Sequence, residues 1–395
     1  MARMRVGIVG GRLQGIEAAY LCSKAAFETV LVDSDSNAPA KDLADEFHEV
    51  DIVRKPERAK HVLQTCDAVI PANENRRALV TLHRICDQLH IPFMQDYAAF
   101  SITSDKKESM KFFRKWAIPT PKAWPGSGFP VIVKPSRKSG SESVYRADDK
   151  HGLKETLKIV RAVDSTPIVQ EFIEGRALSL EVISKKGSGQ PLQITGLEFD
   201  QRYGCKRVYA PAKIPSEVDK KLNVIGVEIA SKLGLNGLID VQALLQGSTP
   251  RVNEINARLP SQTPSVVYHS AKINMAELLI ELFVDDRLVP MKVRSDRAVI
   301  YQHVKVLREE LRVQGESVMA DASGLRVEKD FLGADEAITN LKLGADARNR
   351  VATLIVESHD LSTASKKMKE VVRNIMNEYH LNRYTDPSPR RGSIS

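Results

Sequence analysis

The chain has 395 residues, a formal charge of +8, and 42% hydrophobic and 6% aromatic content. That length gives room for two or three domains and a sizeable core. No apolar stretch reaches the roughly 18 residues of a membrane span, and Lys and Arg are interleaved with acids, which argues against a membrane protein and against a nucleic-acid-binding one. The four cysteines (Cys22, Cys66, Cys86, Cys205) are scattered with no C-x-x-C pair. Reduced thiols in a cytoplasmic protein are the simplest reading. The chain runs straight into a predicted strand, so no signal peptide is expected.

Residues 4 to 97 alternate strand and helix. Strands are predicted at Met4–Val9, Thr29–Val32 and Asp67–Pro71, with helices at Gln14–Ala25, Pro56–Gln64 and Asn75–Leu89. This rhythm predicts a parallel sheet with right-handed crossovers. The first turn, GGRLQG, puts Gly10 and Gly15 at the first and third glycines of a dinucleotide fingerprint. Arg12 takes the second, where a side chain blocks close approach of a pyrophosphate. An NAD-binding oxidoreductase is therefore the weaker reading, and no downstream His/Arg/Asp cluster supports it. Asp33 ends the second strand, where an acid would meet a ribose hydroxyl or simply stabilise the polar turn DSDSN.

A new unit begins near Ser101. SDKKESMKFFRKWAIPTPKAW predicts a capped helix ending at Ala117, and FPVIVKPS a strand carrying Lys134 among apolar residues. A lysine there must be compensated or reach the surface. The loop 137–143, RKSGSES, offers N–H groups and hydroxyls able to cover phosphates. A helix follows at Gly152–Val163, then the strand PIVQEFIEG. Its exit into a glycine turn suits an adenine, with backbone groups for the base edge and Phe172 or Ile173 for its face; an ordinary core strand reads the same way. LSLEVISK and LQITGLEFD continue as strands, and 217–234 as a helix. LIDVQALLQ and PRVNEINARL form a predicted hairpin joined at Gly247-Ser248. Beyond 290 the pattern is mixed strands with a late helix at Ser362–Glu378. Residues 383–395 read as a disordered tail.

The hairpin carries the strongest constellation. Alternate strand residues share a face, so Glu254, Asn256 and Arg258 line one side, with Asp240 on the preceding strand close enough to join them. Two acids and an amide make an all-oxygen site suited to Mg²⁺, and Arg258 would meet a phosphoryl oxygen. A solvent-facing strand is the bland alternative, but the polar run after it has no amphipathic logic of its own.

These motifs in this order, VKP with its Ser/Gly loop, EFIEG and D…NEINAR, resemble the ATP-grasp superfamily. More narrowly, GGRLQGIEAAYL, LVDSD, PANEN, SDKKES, LSLEV, DVQA and EINARLPSQTPSVVYHSAKINMAELL are similar to the 3-methylornithine–lysine ligases of pyrrolysine biosynthesis, from about Met4 to Leu279. The resemblance implies an α/β and α+β architecture: a Rossmann-like domain (1–97), an ATP-grasp domain (98–290, subdomains 101–177 and 178–290) and a C-terminal mixed β/α domain (291–382). It implies that Lys106 and Lys134 hold phosphates. Glu171 and Ile173 would present backbone groups to adenine, with Gln170 and Phe172 beside them. Asp240, Glu254 and Asn256 would hold Mg²⁺, as two ions. Arg12 and Asp33 match positions near ATP; Leu13 and Gln14 match a lysine contact, with Asn73 and Glu74 in reach. Ser179 and Glu181 match positions near the ornithine, Glu181 pairing an ammonium, and Asp200, Arg258 and Ser261 complete the substrate set. Arg258 and Lys134 would be catalytic.

The implied reaction joins the carboxylate of (3R)-3-methyl-D-ornithine to the ε-amine of L-lysine through an acyl phosphate, with a homodimer as the expected assembly. Two departures stand out. Arg176-Ala177 follow Gly175 where a ribose-binding carboxylate is expected, which passes that role to Asp33 or Glu174. Gly204 and Lys206 stand where the pattern has an acid and a histidine. An ATP-grasp ligase or carboxylase for another amino acid is the alternative.

Overall fold

The computed structural model describes residues 3–138, 140, 143–342 and 349–389. The predicted alternation near the start produces a four-stranded parallel sheet. Its order is Glu46–Glu49, Glu28–Asp33, Arg5–Val9, Ala68–Pro71. The edge strand Glu46–Glu49 was not expected: its EFHE sequence has no apolar run, which an exposed edge tolerates. The crevice opens at the carboxyl ends of these strands, on either side of the first, where α/β sheets bind ligands. Close approach shapes the turn there. A Cβ on Gly10 would stand 2.4 Å from the Ala72 carbonyl oxygen, and one on Gly15 2.2 Å from that of Gly10. Gly10 also has φ +112°, a backbone state that side chains disfavour.

Residues Val131–Lys134 sit centrally in a three-stranded antiparallel sheet, between Tyr145–Ala147 and Ile168–Glu171. Val131 and Val133 are fully buried with Leu153 and Val160 of the helix Lys150–Val163. Lys134 is thereby delivered at the strand's end.

The third sheet has eleven strands. It starts at the hairpin Gly237–Gln246 and Thr249–Asn256 and passes through Arg176–Lys185, Ser188–Phe199 and Cys205–Ala210. Ala298–Leu307 then pairs antiparallel with Cys205–Ala210. The expected limit at 290 therefore falls between strands of one continuous sheet. The helix Ser216–Leu233 covers its first half and Leu361–Glu378 its second. No helix among the described residues is long and apolar enough to cross a membrane.

The tail expected from 383 onward is a correction. Arg383–Thr385 forms a strand parallel to Glu310–Val313. Lys206 explains why it docks: only 2% exposed, it needs a charge partner, and Asp386 accepts from its Nζ at 2.6 Å. Arg207 Nη2 reaches the same carboxylate at 2.7 Å. Residues 390–395 of the expected tail lie outside the described residues.

A buried polar junction joins the N-terminal helix Leu13–Lys24 to the rest. Tyr20 Oη donates to Glu336 Oε2 at 2.7 Å and lies 2.6 Å from His269 Nε2. Satisfied on both sides, it fixes the turn ahead of that helix against the large sheet.

If close approach sets the first turn, Gly15→Ala should cost about 1–3 kcal/mol of stability. Urea unfolding would measure it, and an unchanged midpoint would contradict the account.

Candidate active site

Facing residues in an antiparallel pair share a side of the sheet. Asp240 faces Asn256 on one neighbour and Glu181 on the other; Gln242 likewise faces Glu254 and Ser179. The pairing thus gathers Asp240, Glu254 and Asn256 as the sequence spacing implied, and adds Gln242. Asp240 is buried and accepts from Ser179 Oγ (2.6 Å), Gln242 Nε2 (3.0 Å) and Asn256 Nδ2 (3.3 Å). Arg258 Nη1 lies 3.8 Å from it. Lys106 Nζ lies 3.2 Å from Glu254 Oε1 and donates to the Lys138 carbonyl at 2.7 Å. Burial works to raise the Glu254 pKa, but the charges of Lys106 and Lys134 outweigh it and hold it below its ordinary value.

Between Gln242 and Ala243 the register slips, and Asn253 is left as the extra residue of a bulge. Bulges re-aim side chains beside active sites. Asn253 Oδ1 here accepts from Lys134 Nζ at 3.0 Å and from Gln170 Nε2 at 2.8 Å. It ties the end of the small sheet to the large one. Period-2 reasoning misses it, because a bulge leaves no trace in an otherwise regular alternation. Burial and the charge of Lys106 push the Lys134 pKa down to about 8, against the pull of Glu254.

The EFIEG strand differs from expectation in detail. The Glu171 N–H donates to the Lys122 carbonyl (2.8 Å), and its carboxylate accepts from Arg251 Nη1 (2.7 Å) and the Lys122 N–H (3.0 Å). Its N–H is spent within the protein. The Phe172 N–H goes to Pro130, and the Arg146 guanidinium stacks 4.4 Å from the Phe172 ring centre. The Ile173 N–H has no partner among the described residues. Of the loop 137–143, residues 139, 141 and 142 lie outside the described residues.

A cavity of about 1390 Å³ opens beside this face. Its walls include Arg12, Leu13, Gln14, Asp33, Asn73, Glu74, Asp200, Arg258 and Ser261, all expected at the site, together with Glu316, which sequence reasoning missed. Glu316 lies in the C-terminal third, where no motif marked it. Glu74 Oε1 accepts from Gln14 Nε2 (3.0 Å) and Arg258 Nε (3.1 Å), linking the first turn to the end of the hairpin. Arg258 Nη1 and Gln14 Oε1 are buried without partners, so each keeps hydrogen-bonding capacity for a ligand.

Asp33 and Asn73 hold the turn itself. Asp33 accepts from the Gly11 N–H (2.6 Å) and the Asp35 N–H (2.8 Å), and Asn73 Nδ2 donates to the Val9 carbonyl (2.9 Å). Asp200 is likewise spent on backbone, accepting from Arg202, Gly204 and Gly315 N–H groups. Gly204 and Gly315 pack closely at this contact: a Cβ on Gly315 would stand 2.7 Å from the Gly204 Cα, and one on Gly204 3.2 Å from the Gly315 Cα.

Ser179 and Glu181 are fully buried and do not line the cavity. Burial and the neighbouring charge of Asp240 push the Glu181 pKa up to about 8. Ser179 Oγ bridges the two acids, as donor 2.6 Å from Asp240 Oδ1 and 2.9 Å from Glu181 Oε1. The ammonium expected beside Glu181 would have to reach a carboxylate that lies behind Asp240, off the cavity wall.

The donor set fits a hard cation. Asp240 and Glu254 offer carboxylate oxygens, and Asn256, whose Nδ2 is spent on Asp240, offers Oδ1. Such a set suits Mg²⁺ shared with phosphates, and Lys106 and Lys134 suit a polyphosphate beside it.

Residues 103–262 match the ATP-grasp domain family. The 3-methyl-D-ornithine–L-lysine ligase of Methanosarcina barkeri is 35% identical over 300 residues, covering 75% of this chain and 78% of its own length. The chain belongs to this family of ATP-grasp ligases. Its fold is shared with more distant ATP-grasp enzymes. The biotin carboxylase domain of Hydrogenobacter thermophilus 2-oxoglutarate carboxylase, solved with MgADP, ADP and bicarbonate, superposes with TM-score 0.73 at 15% identity, over 94% of this chain and 90% of that one. N5-carboxyaminoimidazole synthetase of Staphylococcus aureus, solved with ADP, gives 0.69 at 15% identity, over 94% and 98%.

If Lys134 meets the phosphates of the nucleotide, nucleotide binding should depend on pH. Between pH about 8 and 10.5 the unfolded lysine holds its proton and the folded one has lost it. Its burial therefore costs stability in full below pH 8, and that cost fades as pH rises. A polyphosphate favours the charged form, so MgATP binding at pH 8.5 should take up a proton, on the order of half or more. Calorimetry in two buffers of different ionisation enthalpy measures this; no uptake, or equal uptake by Lys134→Met, contradicts it.

Proposed function

We propose that the protein joins the carboxylate of (3R)-3-methyl-D-ornithine to the ε-amine of L-lysine, converting ATP to ADP and phosphate. One observation carries this beyond family membership. The acid–lysine cluster around Glu254 meets the substrate-sized cavity at Arg258, whose Nη1 makes no hydrogen bond.

The carboxylate takes the γ-phosphoryl group, giving an acyl phosphate and ADP. The amine then attacks the carbonyl carbon, a C–N bond forms, and the C–O bond to phosphate breaks. Positioning and charge neutralisation do most of such work. Lys106 and Lys134 balance the phosphate charge, and Asn253 and Gln170 aim Lys134. Gln170 and the Ile173 N–H stand at the adenine edge. Asp240, Glu254 and Asn256 would hold Mg²⁺, as two ions, which would supply further charge neutralisation. Arg258 orients the phosphorylated carboxylate. Leu13, Gln14, Glu74 and Ser261 face the amino acids, and Arg12 the nucleotide. Asp33, Asn73 and Asp200 act one step back, by fixing the loops that carry those contacts. Ser179 and Glu181 act behind Asp240, holding it in place for the metal.

Glu254→Gln should keep the melting temperature within a few degrees and lower ADP formation at least about a hundredfold. The wild type, given ATP and both amino acids, should yield a product whose mass is the sum of the two less one water. Full turnover by the variant would remove Glu254 from the metal site; absence of that mass with the wild type would redirect the substrate assignment.

A further inference from the structure

Glu316 lies between the strand Glu310–Val313 and the helix Ser317–Ala320, and lines the cavity from the C-terminal part of the chain. Its N–H donates to the Cys205 carbonyl at 2.9 Å, which fixes the backbone. Its Oε2 accepts from Ser261 Oγ at 2.8 Å. Among the described residues, no Lys, Arg or His lies within ion-pair distance of it, and Oε1 has no donor. Oε1 stands 4.0 Å from where a Cβ on Gly140 would be, in the Ser/Gly loop that follows Lys134.

The other wall acids are differently matched. Glu74 is paired with Arg258, and Asp33 and Asp200 are held by backbone N–H groups. Asp35 is exposed at the mouth. Glu316 is the enclosed one without a cation. A half-buried carboxylate with one neutral partner is under-compensated. Burial, and then the charges of Glu74 and Asp240, raise its pKa despite Ser261 and Arg258. On the same cavity wall, Arg258 Nη1 makes no hydrogen bond and offers the opposite charge.

The geometry points to Glu316 as the residue that seats the positively charged amine of the acceptor amino acid. This rests on the ligase reading above. A carboxylate oxygen without a donor, in the cavity where Arg258 orients the phosphorylated carboxylate, matches an amine brought up to that carboxylate. Because Glu316 faces the loop after Lys134, the ammonium it holds is the one nearest the phosphoryl end. That is the amine that must reach the activated carboxylate. Glu316 thus selects diamino acids over acceptors whose side chain ends in a methyl group.

The test is the steady-state kinetics of Glu316→Gln with ATP, the methylornithine and L-lysine. KM for lysine should rise about ten- to a hundredfold, the loss typical of one charge-assisted hydrogen bond. KM for ATP should stay within twofold, and Glu316→Asp should regain part of the loss. An unchanged KM for lysine overturns the assignment. If the Gln variant does not fold, Ser261→Ala, which releases the Glu316 carboxylate, should raise the same KM several-fold, and no change there overturns it equally. If the wild type does not use lysine with the methylornithine, the ligase reading fails separately. A panel of diamino acids scored by amine-dependent ADP release then supplies the acceptor, and the same KM comparison decides the role of Glu316.

Discussion

The ion pair between Lys106 and Glu254 joins the helix Lys106–Lys115 to the large sheet, where most other chemistry is arranged. Lys134 approaches the same acid from the small sheet through Asn253. Two lysines therefore share one carboxylate within a buried face. Enclosing charge this way is costly unless each ion is matched. Lys134 is the cation of the pair with no carboxylate of its own in contact, its Nζ donating instead to Asn253. The lowered pKa of Lys134 records that same incomplete match.

From Glu254 the arrangement extends in two directions. Toward the sheet interior, Ser179 bridges Asp240 to the buried Glu181. Toward the N-terminus, Arg258, Glu74 and Gln14 connect the metal-side strand to the first turn. That turn is itself pinned by Gly10, Gly15, Asp33 and Asn73. Behind it, Tyr20, His269 and Glu336 hold its helix against the large sheet. Nucleotide-side and substrate-side contacts thus rest on one continuous scaffold.

Much of this was legible in the residue order. Strand–helix alternation marked the parallel sheet, and period-2 spacing grouped Asp240, Glu254 and Asn256. The misplaced glycine at Arg12 separated GGRLQG from a dinucleotide turn. Other parts had no local signal. Asn253 depends on a bulge, and Gln242 and Glu316 matter only through what faces them. Asp33 and Asp200 have the composition of ligand-binding acids, yet backbone N–H groups claim them. The strand Arg383–Thr385 looked like a tail because its partner strand and the buried Lys206 lie far away in sequence. Residue type likewise shows neither the burial of Glu181 nor its position behind Asp240.

The central claim is that the charge cluster at Glu254 serves phosphoryl transfer to a carboxylate before the amine attacks. Labelling both carboxylate oxygens of the methylornithine with ¹⁸O tests it directly. Mass spectrometry of the released phosphate should find one ¹⁸O atom per phosphate. Phosphate without label, formed alongside the amide, would contradict the account.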